Sequence, residues 1–580
     1  MSLFRRMRPL LLGHPPLLPF IILLLAIALP VVSFSVADRN PFLRPPRILA
    51  PLSSSSASSA LEGSLLLPSE SSAAVVREAH AALAGEFAAV DWRTQRHIRR
   101  VLASFRRHRV GSAELNSGLD GYAHGDLGRD AIDKVYADVM GAEAALVRSQ
   151  IFSGTHAIAC ALFGVLRPGD TLLAVSGAPY DTLEEVIGLR PSSVCDDEGD
   201  GEGEDEDGAT TAAGGTLRDW GVGYEQVELT ADGRFDLDAI DAALATQPSV
   251  RMIHVQRSCG YQWRPSLPMA EIGRLCDHVR AINEDRRRMR RKWRQAGAAR
   301  NDDHDHDHDH DHDQQLLPPP LCDLVVFVDN CYGEFVEDAE PCAAGADLVA
   351  GSLIKNPGGT LARTGGYVAG RRRLVRGAAN RLSAPGVDGG ATLGQNKLVL
   401  QGLFNAPGTV GESLKGAMLL AQVLGGAFGL ECNPPPPLVA TPPHLPSGGG
   451  EGGEGGEGQG GEDKGGFRSS GHVRTDMIQA VQLGSRERLV RFCEAVQRHS
   501  PVDAHVRPTP GRTPGYGDEV IFADGSFVDG ATAELSADGP LREPFTAYAQ
   551  GGTHVMHWAV VLEAVIDDMG MLAASAPPAA

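Results

Sequence analysis

In Asp347-Leu-Val-Ala-Gly-Ser-Leu-Ile-Lys355-Asn-Pro-Gly-Gly359 an apolar run ends in one lysine, and a Pro-Gly-Gly turn follows at once. An unpaired ammonium is strongly disfavoured in apolar surroundings, so a lysine there either faces solvent or serves a site. One such service is a Schiff base with a carbonyl, for which burial and neighbouring charge are expected to lower the lysine pKa. Ser352, three residues earlier, can ligate a phosphate. Three other stretches carry comparable chemistry. Ser153-Gly-Thr155 offers backbone N–H groups and two hydroxyls at a helix start, which suits a phosphate or a plain helix cap. Tyr180, in Pro179-Tyr-Asp-Thr182, can stack on a flat ring or pack over a sheet edge. Asp329 ends the apolar run Val325-Val-Phe-Val328 and needs a partner if buried. A protonated ring nitrogen, a magnesium ion or a helix N-terminus would each serve.

The elements that position these residues follow from periodicity. Short apolar strands are expected at Ala144–Val147, Thr171–Val175, Gly223–Leu229, Val250–Gln256, Leu324–Val328, Asp347–Ser352 and Gly366–Ala369. Helices are expected between them, among them Asp130–Met140, Ala157–Leu166, Tyr180–Ile187, Leu237–Leu244 and Met269–Asn283. Such alternation predicts an α/β large domain with a mostly parallel sheet. One or two helices within Val75–Arg107 precede it, and Gly111–Gly128 reads as a loop. A long helical stretch, Leu393–Leu430, leads to a smaller C-terminal α+β domain with strands Gln479–Leu483, Val520–Ala523 and Thr532–Leu535 and helices Arg486–Arg498 and Val555–Met569. The four chemical stretches all fall at strand ends, and in an open α/β sheet ligands bind at the carboxyl ends of the strands. Phosphate cradle, stacking aromatic, ring-nitrogen carboxylate and Schiff-base lysine, in that order, are together what pyridoxal phosphate requires.

Five runs make the expectation specific: Gly121-Tyr-Ala-His-Gly-Asp-Leu-Gly-Arg-Asp130, Ser153-Gly-Thr-His-Ala157, Val328-Asp-Asn-Cys-Tyr-Gly-Glu-Phe335, Gly351-Ser-Leu-Ile-Lys-Asn-Pro-Gly-Gly359 and Leu535-Ser-Ala-Asp-Gly-Pro540. Together they resemble the methionine γ-lyase-like family, also called aluminium resistance proteins, within the fold-type I pyridoxal-phosphate enzymes of cysteine and methionine metabolism. The resemblance spans roughly Leu83 to His557 apart from three insertions. It implies Lys355 as the Schiff-base lysine, Asp329 on the pyridine nitrogen, and Tyr180 stacked on the ring. Ser153, Gly154, Thr155 and Ser352 fall to the phosphate. It implies a homodimer or homotetramer, with Tyr122 and Arg129 placed where a neighbouring subunit's phosphate would lie. Arg542 is the candidate for the substrate α-carboxylate, because a planar guanidinium fits a carboxylate bidentately, with Arg381 and Arg257 as rivals. True γ-lyases tend to carry a small or thiol residue after the stacking tyrosine, whereas Asp181 stands here. The activity implied is β- or γ-elimination on a sulfur amino acid such as methionine or cystathionine. An aminotransferase, or a metal-binding tolerance protein working through its Asp/His tract, is the alternative.

The 580 residues carry a net charge of −20, much of it in three low-complexity stretches: Asp196–Asp207, the Asp/His repeat Asp302–Asp313 and the Gly/Glu repeat Glu451–Asp463. No sustained basic face interleaved with aromatics points to nucleic acid. The nine cysteines (Cys160, Cys195, Cys259, Cys276, Cys322, Cys331, Cys342, Cys432 and Cys493) show no CxxC pair, which predicts free thiols and no zinc knuckle. Arg5, Arg6 and Arg8 precede an apolar run, Leu17–Val32, and a small-x-small site at Ser35-Val-Ala37, as in a signal peptide or signal anchor. Pro19, Pro30 and the modest length argue against a stable spanning helix. The domain plan expected is a leader at 1–37, a transit-like segment at 38–74, helices at 75–115 and a cofactor domain at 116–400 with insertions at 195–215 and 285–320. Linking helices at 401–432, a Gly/Glu linker at 433–472 and a small domain at 473–570 complete it. The two-part leader predicts an organelle reached through the secretory route, such as a plastid.

Overall fold

The structure, a computed structural model, describes residues 68–117, 125–190, 214–302 (side chains to Gln295), 322–387, 390, 395–437, 474–528, 530–531 and 534–574. The leader, Tyr122, the acidic run, the Asp/His tract beyond Asp302 and the Gly/Glu repeat lie outside the described residues.

Seven strands form the large sheet: β1 (Ala144–Arg148), β2 (Thr171–Ala174), β3 (Gly223–Gln226), β4 (Val250–Gln256), β5 (Val325–Asp329), β6 (Leu348–Ser352) and β7 (Gly366–Gly370). Their order is β1-β7-β6-β5-β4-β2-β3. The pairings from β3 through β6 are parallel, and β7 lies antiparallel between β6 and β1. This is the mostly parallel α/β fold expected. Because strand side chains alternate in direction, Val325 and Phe327 enter one core layer with helices Gly154–Val165 and Arg372–Leu382. Val326 and Val328 enter the other, against helices Leu127–Met140 and Met269–Asp302. Helices on both faces bury all five residues of β5 and β6, which accounts for their unbroken apolar runs.

A second sheet is antiparallel, with order β10-β11-β12-β9-β8. Its strands are β8 (Cys432–Asn433), β9 (Gln479–Gln482), β10 (Val520–Asp524), β11 (Leu535–Pro540) and β12 (Thr546–Gly551). Alternation again divides its residues. Ala537, Ala547 and Ala549 join Leu489, Phe492 and Trp558 of helices Arg486–Arg498 and Val555–Asp568 in the core. Ser536, Asp538, Tyr548 and Gln550 face a cavity shared with the large sheet.

Three elements differ from the sequence reading. Helix Met269–Asp302 runs 34 residues, far past Asn283 and through the start of the expected insertion. Its Arg-rich end is a good helix former, and Arg287 and Arg290 reach Asp323 together while Arg286 donates to the Cys322 carbonyl. The strand expected at Thr532–Leu535 lies later, at β11, and β12 was not foreseen because its run Thr-Ala-Tyr-Ala-Gln-Gly lacks β-branched apolar residues. The loop expected at Gly111–Gly128 contains a short helix, Ser112–Asn116, capped by the Glu114 carboxylate on the Gly111 N–H. Among the described residues no helix is long and apolar enough to cross a membrane.

Candidate active site

The strands β5 and β6 are parallel neighbours with Asp329 opposite Ala350, so their carboxyl ends deliver Asp329 and Ser352 side by side. A cavity of about 470 Å³ opens there and is closed on its far side by the small sheet. Lys355, Asp329, Tyr180, Ser153, Gly154, Thr155 and Ser352 all line it. The structure therefore brings together every residue expected of the cofactor constellation except Tyr122 and Arg129.

The anion cradle is built from the start of helix Gly154–Val165. Ser153 caps it, its Oγ accepting from the His156 N–H at 3.1 Å. A Cβ at Gly154 would stand 3.2 Å from Cys331 Sγ and 3.3 Å from Ser352 Cβ, so glycine keeps the cradle open. Across from it Ser352 is 1% exposed, and its Oγ has no hydrogen-bond partner among the described residues. A buried unpaired hydroxyl facing helix N–H groups suits a phosphate oxygen.

Tyr180 is fixed at both ends. Its N–H donates to Gln256 Oε1 at 2.8 Å, and its hydroxyl lies 2.9 Å from Thr155 Oγ1, which also sits 3.1 Å from Thr182 Oγ1. Burial raises the Tyr180 phenol above its ordinary value, and Asp329 adds to the rise. Asp329 is itself pushed up by burial, with the Cys331 N–H at 3.1 Å from Oδ1 and the Lys355 charge opposing. A carboxyl that burial lifts is one that a cationic ring nitrogen would hold in its charged form.

The Lys355 ammonium stands 3.9 Å from the centroid of the Tyr332 ring. Tyr332 is held there by a left-handed backbone, φ 69°. Burial pulls the lysine pKa down, but Tyr332, Cys331 and Asp329 outweigh it and the net shift is upward. Burial thus acts in the direction expected of such a lysine, and the neighbouring acidic side chains oppose it. The turn after Lys355 is wedged in place: Asn356 Nδ2 donates to the Glu334 carbonyl at 3.0 Å, and a Cβ on Gly402 would come within 2.2 Å of the Gly358 carbonyl oxygen.

Glu334 lies directly beneath this turn. Burial pushes its carboxyl up to about 8, against a hydrogen bond from the Tyr367 hydroxyl at 2.8 Å. Its folded value lies above the ordinary 4.5, so its contribution to stability is full below pH 4.5 and is lost as pH rises through 8. Glu334→Gln keeps an acceptor for Tyr367 and removes that titration. Thermal melts should show a smaller fall in midpoint between pH 5.5 and 8 than the wild type; an unchanged fall would assign the pH dependence elsewhere.

The three arginine candidates do not line the cavity. Arg257 is fully buried, bonded to Asn330 Oδ1, the Gly333 carbonyl and Glu337. Arg381 lies over the Phe163 and Trp220 rings, behind helix Gly154–Val165. Arg542 pairs with Asp518 at 2.7 Å and donates to the carbonyl of Tyr261, a lining residue, so it stands behind the cavity wall. Arg129 pairs with Asp130 and also contacts the Gly390 carbonyl. Sequence reasoning missed Gln256, Tyr261, Tyr332, Tyr516 and Asp538, all of which line the cavity. The alternation in Leu535-Ser-Ala-Asp-Gly-Pro540 does place Ser536 and Asp538 on one strand face, and that signal was available.

The sequence profile of the methionine gamma-lyase family matches residues 72–199, 204–286, 320–438 and 466–570. The uncharacterized protein YnbB of Bacillus subtilis is 40% identical over 497 residues, which is 85% of this chain and 95% of that one. Among solved structures, a carbon-sulfur lyase involved in aluminum resistance from Clostridium novyi is 32% identical with a TM-score of 0.67, covering 87% of this chain and 96% of its own. A Bacillus cereus protein is 37% identical with a TM-score of 0.65, covering 86% and 99%. The chain belongs to the methionine gamma-lyase family.

Proposed function

We propose that this protein is a pyridoxal-phosphate-dependent carbon–sulfur lyase that eliminates a thiol from a sulfur amino acid. The observation that carries the reading is the meeting of Lys355, Asp329 and the unpartnered Ser352 hydroxyl in one cavity at the carboxyl ends of β5 and β6. Ser153, the N–H groups of Gly154 and Thr155, and Ser352 would hold the phosphate. Asp329 would hold a proton at the ring nitrogen, and Tyr180 would lie over the ring. When bound, the cofactor supplies an electron sink for charge left at Cα.

The chain's own residues do the rest. Asp329 accepts the Cys331 N–H through Oδ1, which fixes the carboxylate that would face the ring nitrogen. Lys355 Nζ, placed by the wedged turn, would hold the cofactor and would serve as the base that takes the Cα proton. Thr155 orients the Tyr180 hydroxyl, and the small sheet walls the cavity on the side away from the large sheet. Water then releases ammonia and a 2-oxo acid beside the thiol. The test is ammonia and 2-oxo acid release from L-cystathionine or L-methionine with no oxo-acid acceptor present. Strict dependence on an acceptor would make the enzyme an aminotransferase.

A further inference from the structure

The wall that faces Lys355 is acidic. Among the described lining residues Lys355 is the only lysine or arginine, against the carboxylates of Asp181, Asp329, Asp524 and Asp538. Asp329 belongs to the cofactor constellation, and Asp524 is occupied by Ser526 and by the Gly530 N–H. Asp538 differs. Its Oδ1 has no hydrogen-bond partner among the described residues, Gln550 Nε2 stands a long 3.5 Å from Oδ2, and the Tyr261 hydroxyl is its other polar neighbour. Two neighbours share that condition: Ser536 Oγ and Gln550 Oε1 are also unpartnered, on side chains 5% and 3% exposed.

These three residues form one patch by register. Ser536 of β11 pairs with Gln550 of β12, and Asp538 lies two residues along the same face, opposite Tyr548. Aromatic rings border it: Tyr261 is 5.1 Å from Tyr548 and 5.8 Å from Tyr516, centroid to centroid. Burial pushes the Asp538 carboxyl up to about 7, with Asp524 adding to the rise and the Tyr261 hydroxyl and the Lys355 charge opposing it. Buried acceptors without donors are costly, and three together ask for a group with several N–H donors. Aromatic faces beside a carboxylate add attraction for a cation. A distal carboxylate on the substrate would face the like charge of Asp538 here.

We propose that Ser536, Asp538 and Gln550 form a specificity site for a distal ammonium on the substrate side chain, so that the preferred substrates are sulfur amino acids with a cationic far end. The site rests on the lyase reading for its substrate class. Its test compares three thioethers of similar size on the holoenzyme: S-(2-aminoethyl)-L-cysteine, S-propyl-L-cysteine and S-carboxymethyl-L-cysteine. Dissociation constants and kcat/KM are both measured.

Wild-type holoenzyme should bind the aminoethyl compound at least about 10-fold more tightly than the propyl compound, with the carboxymethyl compound weakest. Asp538→Asn, which is isosteric, should bring the aminoethyl-to-propyl ratio to within about 3-fold while binding of the propyl compound is retained. Equal binding of the cationic and neutral compounds by wild type overturns the site, whether or not the variant folds, and turnover of both then leaves the lyase reading standing. Tighter binding of the aminoethyl compound without elimination supports the site and removes the lyase reading. Binding of none of the three overturns both.

Discussion

Lys355→Ala is expected to lower elimination activity by at least about 10³-fold, since the proposed lyase reaction uses Lys355 as both covalent anchor and base. The fold should survive. Lys355 opens a turn held by its neighbours: the Asn356 amide on the Glu334 carbonyl and the close approach of Gly358 to Gly402. Removing an ammonium that burial disfavours leaves the Tyr332 ring facing a small void and Asp329 without a nearby cation. Circular dichroism and a thermal melt should therefore match the wild type within a few degrees while turnover disappears. A folded variant with more than a tenth of wild-type activity would assign the chemistry to another group.

Arg257→Ala is expected to cost about 3–5 kcal/mol of stability, the range for breaking a buried ion pair from one side. The guanidinium follows the end of β4 and reaches Asn330 Oδ1 at 2.8 Å, the Gly333 carbonyl at 2.8 Å and Glu337 Oε2 at 2.7 Å. The same Glu337 oxygen accepts the Met269 N–H that starts the long helix. Truncation leaves a mostly buried carboxylate without its cation and frees the segment that carries Asp329, Cys331 and Tyr332. Urea unfolding should show the loss, and cofactor affinity should fall with it because Asp329 is no longer braced. Arg257→Lys should recover only part, since one ammonium cannot span three acceptors in a planar fork. A loss below about 1 kcal/mol would contradict this bracing role.

The large domain was legible because both of its signals were strong. Unbroken apolar runs such as Val325–Val328 mark strands covered on both faces, and Pro-Gly pairs such as Pro168-Gly169 and Pro357-Gly358 mark turns between elements. The residues that gather at the cavity were legible for the same reason: each ends a strand or opens a helix, and the topology sends those ends to one edge. The small domain was less so. Strand β12 reads Thr-Ala-Tyr-Ala-Gln-Gly and carries little apolar signal, because small residues pack against the helices while Tyr548 and Gln550 face the cavity. The arginine assignments went astray because sequence shows charge and not partner. Arg257 looked free to bind a carboxylate, yet Glu337, 80 residues away, already holds it. The neighbours of the Lys355 amine needed the same long-range information, namely that Tyr332 lies against it and Asp329 faces the same cavity.

Lys355 is the residue proposed to carry the cofactor. Protein incubated with pyridoxal phosphate, reduced with borohydride and digested should yield one modified peptide, with the added mass on Lys355. Absence of the modification, or its equal spread over other lysines such as Lys134 and Lys397, would contradict the account.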